Sequence, residues 1–82
     1  MSYQICDRYI WKVEAYLMRK YGVDAAHRMM DPLTWYIGTA RASVDFLYKL
    51  VDVKPYIIGR ILAKGGSHEE VIKNIKARIG AI

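Results

Sequence analysis

Apolar residues recur at helical spacing along nearly the whole chain, and no segment alternates long enough to make a convincing strand. Over residues 2–21, Cys6, Ile10, Val13 and Leu17 follow a 4-3-4 spacing, with Tyr9 and Tyr16 widening the same face. Arg19 and Lys20 ahead of Gly22 make an ordinary helix end. A short helix over 24–30, opened by Asp24, is expected next. Asp31-Pro32 then reads as a fresh start, because Asp accepts first-turn amides and Pro at the first helical position loses no hydrogen bond.

The spacing predicts a long helix over 32–52. Leu33, Tyr36, Ile37, Ala40, Val44, Leu47, Leu50 and Val51 cover one wide face, while Arg41, Asp45 and Lys49 stand four apart on the other and can pair. Trp35, Ala42 and Phe46 extend the apolar arc, so this helix is expected to be the one the others pack around. Lys54-Pro55 interrupts the pattern and opens a helix over 55–64, which Gly65-Gly66 stops. Ser67-His68-Glu69-Glu70 fits a capping box for a last helix over 67–81, with Val71, Ile72, Ile75, Ile79 and Ile82 on one face. The expected fold is all-α, a compact bundle of four to five helices in a single domain spanning 1–82.

Composition narrows the class of function. At 82 residues the chain holds one domain, and a chain this short buries only about 60% of its unfolded surface. One cysteine, Cys6, excludes an internal disulfide and fits a reducing compartment. With no apolar leader and no spanning run, a cytoplasmic protein is expected, with association into a homo-oligomer as its extra source of stability. His27 and His68 are distant from each other and from Cys6, so no metal-ligand spacing exists and no cofactor is implied. His68 sits at a capping box, Ser67 is occupied by the cap, and no paired carboxylates or phosphate-binding loop appear, so no enzymatic activity is expected.

The net charge is +5, which permits an acidic partner. The stretch from Leu47 to Leu62 resembles the helix-turn-helix of DNA-binding regulators: a helix end, a short turn, and a second helix reading P-x-x-I-G-R-I-L, with Leu47, Val51, Val53, Ile58 and Ile61 at the motif's apolar positions. Tyr48 stands where that motif carries a small residue, and Asp52 where it carries the turn glycine. The resemblance implies that the second helix meets DNA, with Tyr56, Gly59, Arg60 and Lys64 facing it and Lys54 near a phosphate. Residues 54–82 carry a local +4, which adds Lys73 and Lys76 as backbone contacts.

A different function class uses aromatic surfaces. Arg8, Lys12 and Arg19 fall together on the first helix, with Trp11 and Met18 beside them and away from the Cys6 to Leu17 stripe. Trp11 could stack on a base, dock on a second copy or another protein, or pack under residues 24–30. Trp35 and Phe46 make the matching feature on the central helix. Trp11, Met18, Trp35 and Phe46 are therefore the expected interface of a protein-interaction module, such as an adaptor, inhibitor or complex subunit.

Overall fold

A computed structural model describes the backbone of residues 2–81 and the side chains of residues 6–81. It contains five helices, α1 (Ser2–Tyr21), α2 (Val23–Gly38), α3 (Val44–Val51), α4 (Pro55–Lys64) and α5 (His68–Ile79), and among the described residues no strand. The architecture is the expected all-α bundle. None of these helices is long and apolar enough to cross a membrane.

α1 follows from its stripe: Cys6, Tyr9, Val13 and Leu17 are buried, with Ile10 and Tyr16 packed at the margin. It lies against α2, α3 and α4, so α1, and not a long central helix, is the element those three pack around, while α5 closes the bundle against α2, α3 and α4. A single residue, Gly22, joins α1 to α2. Its φ of 89° and ψ of 166° are open almost only to glycine, and its N–H and C=O bond to Met18 O and from Ala26 N, both at 3.0 Å. Glu14 Oε2 and His27 Nδ1, 3.1 Å apart, tie the two helices beyond the turn.

The expected boundary at Asp31-Pro32 is not there. α2 runs straight through Pro32, although an interior proline removes a hydrogen bond and costs about 3 kcal/mol. The reason is tertiary: Ala26, Met30, Leu33 and Tyr36 form one buried face that continues across the proline, and Pro32 is itself buried beside it. Stopping at residue 31 would split that face. Asp31 is exposed in mid-helix, caps nothing and starts nothing.

The expected helix over 32–52 is instead cut in two at residues 39–43. Ala40 N–H bonds to Ile37 O and Arg41 N–H to Tyr36 O, both at 3.1 Å, the pair of bonds of a Schellman stop. Ala40 occupies the left-handed position, φ 59°, that glycine usually takes. Ser43 then caps α3, its Oγ accepting from Phe46 N–H at 3.0 Å. With the helix broken, Ala40 and Val44 are exposed rather than part of a core face, while Leu47 and Leu50 remain buried. The pairing expected along the outer face survives in part: Lys49 Nζ lies 3.3 Å from Asp45. It also donates to Gly80 O at 2.9 Å, fastening the end of α5 to α3.

α4 begins with Pro55 at its first position and ends at Gly65. α5 has the forward half of the capping box, Glu70 N–H to Ser67 Oγ at 3.1 Å; the Glu70 carboxylate lies against Gly66 instead of returning to the Ser67 amide. Val71, Ile72 and Ile75 are buried, Ile79 is half-buried, and Ile82 lies outside the described residues. Because an alanine in the left-handed region costs about 1–2 kcal/mol, Ala40→Gly should raise stability by about 1 kcal/mol. Urea unfolding checks this; a loss of stability would mean that residue 40 is not held left-handed.

Candidate nucleic-acid interface

α4 is positioned by a close approach to α1. Gly59 is buried, and a Cβ built there would come within 2.5 and 2.8 Å of the Tyr16 ring and 3.6 Å of Leu17. A side chain there would force the Tyr16 ring to shift. Gly59, expected on the DNA face, is therefore a packing residue and cannot contact a ligand. Pro55 shares a groove with Tyr9 and Lys12, and Gly59 meets Tyr16, so the two helices run side by side in the same sense.

Burial of Ile58, Gly59 and Leu62 turns the opposite side of α4 outward. Tyr56, Arg60 and Lys64 stand there one turn apart, all exposed. The Arg60 guanidinium lies over the Tyr56 ring, 5.3 Å from its centre. Arg78 of α5, which sequence reasoning did not single out, joins this stripe across a shallow groove floored by Ile57 and Ile61. On the other flank, Lys20 Nζ donates to Tyr16 Oη at 3.2 Å. That bond, together with the nearby Arg60, holds the Tyr16 phenol below its ordinary pKa. The face thus gathers Lys20, Arg60, Lys64 and Arg78 around two tyrosine rings, and among the described residues no carboxylate side chain lines the groove.

The remaining predicted residues lie elsewhere. Lys54 borders a separate groove with Arg8 and Lys12. Lys73 and Lys76 fall on the opposite flank of α5 from Arg78 and line a groove with Trp35, Tyr36 and Arg41. There Lys76 lies 5.0 Å over the Tyr36 ring and Arg41 5.0 Å over Trp35. The seven residues expected to share one nucleic-acid face are therefore one buried glycine and three separate groups.

The aromatic surface changes as well. Phe46 is 0% exposed and meets Tyr36 edge-on at 5.0 Å, so it is a core residue and offers nothing to a partner. Trp35 is half-buried, 5.4 Å from His68, and Met18 is packed at the core margin. Trp11 alone of the four is well exposed, at 66%, and does not pack beneath residues 24–30. Cys6 is buried, and burial together with Asp7 pushes its thiol pKa up, away from the thiolate form that reacts.

Two features of the helix-turn-helix resemblance acquire a geometry. Tyr48 points outward, 56% exposed, so its ring stays out of the space between helices. Asp52 is right-handed, φ −81° and ψ −13°, so the turn needs no glycine there. α3 packs mainly on α1 and α5, and α4 on α1, α5 and α2. Comparison with protein-family models, with curated proteins and with solved structures finds no match to this chain.

The Tyr16 contact is testable by titration. Lys20→Met should move the Tyr16 phenol pKa upward, since the hydrogen bond to Lys20 stabilises the phenolate. Tyrosine-selective NMR across the alkaline range reads it; an unchanged midpoint would separate Tyr16 from Lys20.

Proposed function

We propose that this is a small, non-catalytic, cytoplasmic DNA-binding protein, a regulator, whose contact face is the outer stripe of α4. The observation that carries the reading is the grouping of Tyr56, Arg60 and Lys64 with Arg78 in a groove lined, among the described residues, by no acidic side chain. Three further features support it. The α3–α4 connection is a short turn, as the resemblance to helix-turn-helix regulators requires. The close packing at Gly59 fixes the direction of the stripe. Tyrosine rings beside guanidinium and ammonium groups also suit a surface that meets bases and phosphates together. In this reading Arg60 and Tyr56 reach base edges, and Lys64, Arg78 and Lys20 hold the backbone.

One observation favours a second reading, in which the protein is an interaction module that docks on another protein or on a second copy. Trp11 stands 66% exposed beside Lys12 on α1, and tryptophan is enriched at the centres of interfaces. The readings separate by substitution. For a DNA ligand Arg60→Ala weakens binding and Trp11→Ala acts only through association; for a protein ligand the order reverses.

Anisotropy of a labelled random-sequence duplex is the direct test. Three phosphate contacts, from Lys64, Arg78 and Lys20, give a salt slope of about −2.7, a loss of about fortyfold between about 50 and 200 mM salt. Lys64→Ala should lower that slope by about one contact, whereas Arg60→Ala should weaken binding by about 1–3 kcal/mol. No binding at the lower salt would overturn the reading.

A further inference from the structure

The cations of the α4 stripe attract any nucleic acid, but the groove beside them also offers surface that charge does not use. Tyr56 is 41% exposed. Ile57 and Ile61, both half-buried, floor the space between α4 and Arg78 of α5, a volume of about 380 Å³. Among the described residues, Arg60, Lys64 and Arg78 have no ion-pair partner, and no carboxylate side chain lines the groove. An aromatic ring and an apolar floor bordered by three cations suit a ligand that is apolar on its faces and anionic along one side. A duplex offers little of that kind. Its base faces are stacked on one another inside, and its major groove shows base edges with the thymine methyl as the apolar group. An unpaired strand exposes whole base faces next to each phosphate, and these stack on tyrosine rings and on arginine guanidinium planes. The Arg60 guanidinium lies 5.3 Å from the centre of the Tyr56 ring, so both platforms stand together at the rim of the groove.

We infer that the groove between α4 and α5 takes single-stranded DNA in preference to duplex, with a base stacked on the Tyr56–Arg60 pair above Ile57 and Ile61, and flanking phosphates on Lys64 and Arg78. The inference rests on the reading that the α4 stripe contacts DNA, and adds which form it holds best. Duplex is held by charge and by edge contacts, whereas a strand adds a stacked base, which raises affinity by about 5- to 150-fold. Salt weakens a strand less than a duplex, with a slope of about −0.7 per contact against about −0.9. The preference therefore widens as salt rises.

The test titrates the whole protein into a labelled mixed-sequence strand of about 12 nucleotides that forms no hairpin, and into the same strand annealed to its complement, at about 50 and 200 mM salt. At the higher salt the strand is expected to bind about tenfold more tightly than the duplex. Tyr56→Ala should remove that advantage. Tyr56→Phe, which keeps the ring and loses the hydroxyl, should retain it, and both variants should melt as the parent does because the side chain is exposed. The Tyr56 ring protons should also move upfield as the base stacks on them. Equal or tighter binding of the duplex, or a loss in Tyr56→Phe as large as that in Tyr56→Ala, would overturn the inference while leaving the contact of the α4 stripe with duplex standing. An RNA strand of the same sequence binding about tenfold more tightly than the DNA strand would overturn the assignment to DNA. Absence of binding by either DNA form at the lower salt would overturn the underlying reading as well.

Discussion

The contact between Gly59 and Tyr16 sets the rest of the molecule. α1 is the spine on which α2, α3 and α4 are laid, and α4 can lie close to it only because residue 59 brings no Cβ. Shape complementarity at this density is what gives a small core one arrangement rather than several. Once Gly59 faces α1, the helical repeat leaves Tyr56, Arg60 and Lys64 on the far side. The same contact places Tyr16 where its hydroxyl accepts from Lys20 and feels the charge of the nearby Arg60. A packing requirement in the interior therefore orients the charged surface.

Local signals were legible where one dominant residue carried them. The α1 stripe, Pro55 at the start of α4 and Ser67 ahead of α5 are each strong patterns, and each element stands where it was expected. The middle of the chain was misread because its stop and start signals are unusual. The left-handed stop falls on Ala40 rather than a glycine, Ser43 caps α3 without the acidic residue of a capping box, and Pro32 lies inside a helix that tertiary burial keeps whole. A 3.6-residue pattern shows which residues can share a face, not whether the helix bearing them is interrupted. Phe46 shows the consequence: on one long helix it sits on a flank, whereas on the separate α3 it is at the centre of the core.

The site was legible as charge but not as arrangement. Six cations between residues 54 and 82 suggest a basic surface, yet linear nearness does not say which flank of a helix each occupies. Lys73 and Lys76 turn toward Trp35 and Tyr36, while Arg78 turns toward α4. Lys20 joins from the far end of the chain, and its i,i+4 relation to Tyr16 was the one signal that could have drawn attention to it. Gly59 belongs to the same lesson, since a glycine within a helix marks close approach as readily as an open surface.

The central claim is that Gly59 is a packing residue that holds α4 to α1, and urea unfolding of Gly59→Ala tests it most directly because the two possibilities differ in sign. In an uncrowded helix the substitution stabilises by about 1 kcal/mol through propensity. Against the Tyr16 ring the added methyl overpacks at a cost of about 1–3 kcal/mol, so a net loss of about 1 kcal/mol is predicted, restored in part by Tyr16→Ala in the same chain. A gain of about 1 kcal/mol would mean that Gly59 faces open space and that the α1–α4 arrangement described above is wrong.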